Sequence, residues 1–90
     1  MARLSEDDAR EIVEVLEELL QSAYQVDKIE KMKMKSRIRH QAAFLRTVLN
    51  PTPKRVTDKL RSRLPDVFRV LPHVSDTLED VLTKKIRNLK

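Results

Sequence analysis

KIEKMKMKSRIRH, residues Lys28 to His40, decides how this chain is folded, because three secondary structures compete for it. Seven basic or potentially basic side chains stand against one acid, Glu30, with Ile29, Met32, Met34 and Ile38 threaded between them. MKMKSRIR alternates strictly, the period of a strand, yet nothing else in the chain alternates and a lone strand has no partner. Lys, Met, Glu, Arg and Gln are strong helix formers, and no glycine or proline interrupts residues 5–50. One continuous helix through the segment is therefore sterically allowed. It would be about 65 Å long at 1.5 Å per residue and would overhang any core that a small chain can bury, which makes sense mainly in an oligomer. The reading preferred here is two helices joined by a basic connection.

The flanks support that division. Ser5 is a good N-cap, and Glu6, Asp7 and Asp8 complement the dipole of a first helix. Ala9, Ile12, Leu16, Leu19, Ala23 and Val26 recur at spacings of three and four, with Leu20 beside them and acids on the opposite face. The stripe fails at Asp27, Glu30 and Lys31. It resumes with Ile38, Ala42, Leu45 and Leu49, with Ser36 as the cap, until Asn50 and Pro51 end it. Thr52 and Pro53 form an N-cap and first-position proline ahead of Val56, Leu60 and Leu64. Pro65 and Pro72 bracket DVFRVL, enough for a short helix. Asp76 and Glu79 form a capping pair before Leu78, Val81, Leu82, Ile86 and Leu89, with Lys84, Lys85, Arg87 and Lys90 at the C-terminal end.

The expected fold class is all-α: a single domain over residues 1–90, a small helical bundle of four main helices at about 6–26, 37–49, 53–64 and 76–88, plus one short helix after Pro65. Its core should contain Ile12, Leu16, Leu19, Leu45, Leu49, Val56, Leu60, Leu78 and Leu82, and the three aromatic residues, Tyr24, Phe44 and Phe68, are most simply core residues too.

Composition excludes several functions. Glycine and cysteine are both absent, which removes disulfide frameworks, cysteine-ligated zinc and glycine phosphate cradles. His40 and His73 are far apart with no neighbour at ligand spacing, so no metal or other cofactor is expected, and no catalytic constellation marks an enzyme. No uncharged apolar run approaches a membrane span, and MARLSEDDAREI places acids where a signal peptide needs an apolar core. The expectation is an intracellular protein, cytoplasmic or nucleoid-associated, without a membrane partner.

The net charge of +5 conceals a segregation. Residues 1–27 carry two bases and eight acids, 28–63 twelve bases and two acids, and 64–90 five bases and four acids. An acidic first helix beside a basic second one would neutralise part of this internally. The excess on the middle segment would attract phosphate backbones at long range. Lys54 and Arg55 sharpen the point, since cations in the first turn of a helix oppose its dipole and suit a site where an anion is bound.

The leading functional expectation is nucleic-acid binding, duplex DNA ahead of RNA, through Lys28, Lys31, Lys33, Lys35, Arg37, Arg39, Lys54, Arg55, Lys59, Arg61 and Arg63. The NPTP turn between helices two and three also fits a helix-turn-helix corner. Three aromatic residues are too few for a single-strand stacking platform. The alternative is a protein–protein interaction or assembly module, a homo-oligomer or a subunit of a complex, in which the acidic helix docks on another chain's basic middle. Met32 and Met34 would then line an adaptable partner groove. A third option, a basic amphipathic helix on an anionic membrane surface, requires Ile29, Met32 and Met34 to share one exposed face. Circular dichroism is expected to show more than about half helix, well above the average of roughly one third for soluble proteins.

Overall fold

The computed structural model describes residues 2–87. They form α1 (Glu6–Gln21), α2 (Lys28–Gln41), a 3-10 segment (Ala42–Arg46), α3 (Pro53–Arg63), α4 (Pro65–Val70) and α5 (Val74–Arg87). All the regular structure described is helical, and the extents are 41 × 22 × 20 Å. The all-α bundle of four longer helices and one short one is what the apolar stripes predict.

The expected boundaries are corrected around the basic segment, which is neither a connection nor a strand but α2 itself. α1 stops at Gln21 instead of continuing to Val26, and the Ser22 N–H returns to the Glu18 carbonyl at 3.2 Å. Val26 is buried in the reversal, and Asp27 then caps α2 by accepting the Glu30 N–H at 2.8 Å. Ser36, the expected cap, is an exposed mid-helix residue. α2 begins early because Asp27 and Glu30 have the spacing of a capping pair, and only its inner residues Met34 and Ile38 need to reach the core.

α2 tightens at Ala42 into the 3-10 segment, which changes the register. A turn of three residues instead of 3.6 carries the buried stripe through Ala42, Leu45 and Val48, so Leu49, expected inside, is 37% exposed. Asn50 then takes φ 50°, a left-handed conformation that Asn tolerates better than most residues in a chain lacking glycine. Its N–H donates to the Ala2 carbonyl at 2.9 Å, which ties the N-terminal strap down beside buried Leu4.

α3 follows its expected signals, with the Thr52 hydroxyl accepting the Arg55 N–H at 3.3 Å and Pro53 in the first turn. α5 starts at Val74, earlier than the Asp76–Glu79 pair suggested, and its expected end at residue 88 lies outside the described residues.

Side-chain contacts fix the arrangement. α1 and α2 are antiparallel: Gln21 meets Lys31 and Lys35, while Glu6 lies 4.0 Å from Arg46. α5 returns along α1, where Lys85 reaches Asp8 at 3.4 Å and Glu11 at 2.5 Å. The bond to Glu11, with Asp8 adding to it, raises the Lys85 pKa above its ordinary value against the opposing effect of burial. α3 packs on α5. Ile12, Leu16, Leu20, Ile38, Leu45, Val56, Leu60, Leu78 and Leu82 are fully buried among these helices, each contributing about 1.5–3 kcal/mol by area. Leu19 sits at the edge of the core, half-buried, and Leu20 takes the inner position. Phe44 and Phe68 are half-buried against the core, but Tyr24, expected inside, is 91% exposed.

Two stability outcomes follow. Asp27→Ala should cost about 1 kcal/mol in urea unfolding while Ser36→Ala stays near neutral, the reverse of what a cap at Ser36 requires. Thr57, fully buried in α3, has no hydrogen-bond partner for its hydroxyl among the described residues. Thr57→Val keeps the shape and removes that polar group, so it should stabilise by about 1 kcal/mol in the same assay.

Candidate nucleic-acid interface

α2 presents its six Lys and Arg residues in several directions. Lys31 donates to the Gln21 carbonyl at 2.9 Å, Lys35 to the Gln21 Oε1 at 2.6 Å, and the Arg39 Nε to Glu17 at 2.9 Å, so these three are held against α1. Arg37 points the other way. Its Nη1 binds Asp66 at the start of α4 at 2.6 Å and its Nη2 lies 3.4 Å from Glu30. Two residues apart on a helix is about 200° of rotation, which puts Arg37 and Arg39 on opposite sides. Lys28 and Lys33 are exposed, with no acidic partner among the described residues.

α3 divides in the same way. Arg61 is occupied on the α5 side: it contacts Asp58 at 3.3 Å, donates to the Ser75 Oγ at 2.8 Å, and stands 5.7 Å from the Phe68 ring centre. Arg55, Lys59 and Arg63 follow one another at intervals of four, which aligns them on one face. The Lys59 Nζ lies 5.9 Å and the Arg63 guanidinium 4.8 Å from the centre of the Phe44 ring. Contacts of this kind are worth about 0.5–1 kcal/mol at an exposed site and hold both cations over one ring. Arg63 also reaches the Gln41 Oε1 at 3.4 Å, where α3 meets the end of α2. Gln41 lies one helical turn beyond Arg37, and Lys33 one turn before it.

The eleven basic residues singled out from the sequence are therefore not one platform. Arg55, Lys59 and Arg63 form a row that continues across Gln41 to Arg37 and Lys33, with Lys54 exposed at the start of α3. Lys31, Lys35 and Arg39 belong to the α1 side, Lys28 stands at the start of α2, and Arg61 faces α5. Asp58, the only acid of α3, is taken by Arg61, and Asp66 by Arg37 and Arg69. No acid pairs with Lys54, Arg55, Lys59 or Arg63 among the described residues. Phe44 and Gln41 escaped sequence reasoning because they are separated from Arg63 by 19 and 22 residues, and no local pattern spans that distance.

The corner before α3 also differs from a helix-turn-helix. Between the 3-10 segment and Pro53 run six residues, 47–52, against the usual turn of about three or four. Among the described residues no group of three or more His, Cys, Asp and Glu is placed to hold a metal ion, and no helix is long and apolar enough to cross a membrane. Met34 is 3% exposed while Ile29 and Met32 are outside, so these three do not share the exposed face that a lipid-binding α2 requires.

No protein-family model matches the chain, and no curated protein or solved structure matches it.

Proposed function

We propose that this protein binds the phosphate backbone of nucleic acid, duplex DNA ahead of RNA, inside the cell in the cytoplasm or nucleoid, in a role without catalysis or cofactor. The observation that carries the proposal is the row Arg55, Lys59 and Arg63, paired with no acid among the described residues, with Lys59 and Arg63 braced on Phe44. Arg37, Arg39, Arg61, Arg69 and Lys85, by contrast, each have an acidic partner within 3.4 Å. The row extends over about 12 Å of helix at 1.5 Å per residue, long enough to meet more than one phosphate. Lys54 and Arg55 lie at the α3 N-terminus, where the helix dipole favours an anion although Thr52 already caps the Arg55 N–H. Lys33, exposed and without an acidic partner among the described residues, extends the surface onto α2.

The contacts offered are of the positioning kind. Guanidinium and ammonium groups that meet phosphates confer affinity and salt dependence but little sequence preference, and the long connection before α3 argues against docking the helix in the groove as a helix-turn-helix does. Assembly driven by an acidic α1 against a basic α2 of another chain is less favoured. Glu17 already holds Arg39, and Asp8 and Glu11 already hold Lys85 within one chain.

Fluorescence anisotropy with duplex DNA at several salt concentrations tests the proposal. Replacing Lys54, Arg55 and Lys59 by alanine should weaken binding and flatten the plot of log affinity against log salt by about 0.9 for each phosphate no longer neutralised. Helical content should persist, because all three side chains are exposed. Arg63 is left in place because it also braces Phe44 and Gln41. Replacing Lys31, Lys35 and Arg39 should change the slope much less. Equal slopes for the parent and the first variant, or no binding by the parent, would exclude this interface.

A further inference from the structure

The large apolar side chains that the fold leaves uncovered gather mainly at one end of the α1–α2 hairpin. Tyr24 in the reversal and Ile29 and Met32 in the first turns of α2 are 91%, 69% and 67% exposed. Ile29, Met32, Ser36, Arg39 and Ala43 then succeed one another at spacings of three, four, three and four, the interval of a seam along which two helices pack. The far end of this seam is hollow. Between α1 and the end of α2 lies a groove of about 400 Å³ lined by Ala9, Val13, Ala42 and Ala43 together with three acids and three arginines, Glu14 and the Glu17–Arg39 pair among them.

Large residues at one end of a seam and small ones at the other are complementary to a second copy turned end for end. About a two-fold axis near Ser36, Ile29 and Ala43 are equidistant from the centre, seven residues to either side. Ile29 and Met32 of one copy then enter the groove of the other, and the reverse contact forms at the same time, as an isologous interface requires. The charges agree with this seating. Lys28 adjoins the apolar end and Glu14 stands on the groove wall; both are exposed, and neither has an opposite charge bonded to it among the described residues. The rotation brings them within about one helical turn of each other, by helix rise. Arg39, which lies on the seam, does not oppose the approach as a bare cation, because Glu17 holds it at 2.9 Å.

We propose that the protein forms a two-fold dimer of this chain through the outer α1–α2 face, with the Ile29–Met32 end of each copy seated in the alanine-floored groove of the other. The interface differs from the one read from charge segregation: apolar fit drives it, and Lys28 with Glu14 sets its register. Arg37 and the α3 row lie away from this seam and remain open in the dimer, while Lys33, one turn after Ile29, borders it.

Sedimentation equilibrium of the full chain without nucleic acid, from low to high micromolar concentration, is the test. The parent should approach twice the chain mass. Ile29→Glu, Met32→Glu and Ala43→Glu should each sediment as the monomer with unchanged circular dichroism, since all three positions are exposed. Each substitution occurs twice in a two-fold interface, so a tenfold effect per site raises the dissociation constant about a hundredfold. Lys28→Glu should weaken the dimer and Lys28→Glu combined with Glu14→Lys should restore it. A parent that stays monomeric, or a dimer indifferent to both Met32→Glu and Ala43→Glu, overturns the proposal. So does a monomeric parent that floats with anionic vesicles and loses them on Met32→Glu, which would assign the patch to a lipid surface.

Discussion

The reversal between Gln21 and Lys28 is the constraint on which the rest of this molecule depends. Without it, helical propensity runs unbroken through residues 5–50 and the chain becomes a rod of about 65 Å, against a longest extent of 41 Å here. The reversal is made by local means: the Ser22 N–H returns to Glu18, Val26 enters the core, and the Asp27 carboxylate takes the Glu30 N–H. Once α2 is folded back, Met34 and Ile38 meet the Ile12–Leu16–Leu20 stripe, and α5 closes the other side with Leu78 and Leu82.

Folding α2 back also sorts its charges. Every residue from Lys28 to Arg39 that carries a cation belongs to the same short segment, yet rotation about the helix separates those tied to α1 from the one tied to α4. The pairs that result are exposed and individually worth little, on the order of 0–1 kcal/mol. Their importance is one of position: Arg39, Lys31 and Lys35 are drawn toward α1, and Arg37 is carried to the joint with α3. There Phe44, brought under Lys59 and Arg63 by the 3-10 segment, gives the row a rigid support that lysines and arginines on an isolated helix lack.

α2 consequently serves two surfaces. Its inner side is thin, with only Met34 and Ile38 buried, and apolar residues also occur on its outer side. A helix of this kind is poorly specified by hydrophobic burial within one chain and gains from contacts beyond it. Phosphate binding on the α3 side and self-association on the α1 side would place two basic rows on one symmetric particle, each facing away from the dimer axis.

Much of the fold was legible in the sequence because its signals are short-range. Ser5 and Thr52–Pro53 mark helix starts through hydrogen bonds to residues three positions ahead, and the stripes through Ile12, Leu16, Val56, Leu60, Leu78 and Leu82 declare buried faces by periodicity alone. The start of α2 was legible too, in Asp27 and Glu30, but the absence of an apolar stripe there outweighed it, since the first turn of α2 lies outside the core. Leu49 was misplaced because periodicity assumes 3.6 residues per turn, and the chain had tightened to three. Which cations are free was not legible at all. Arg37 finds its acid 29 residues away and Arg39 finds one 22 residues away. Sequence by itself determined the helical class, the caps of α1 and α3, most of the core and the total charge of the middle segment. Tertiary structure alone decided which of those charges are neutralised, because that depends on distances between helices, which no spacing along the chain encodes.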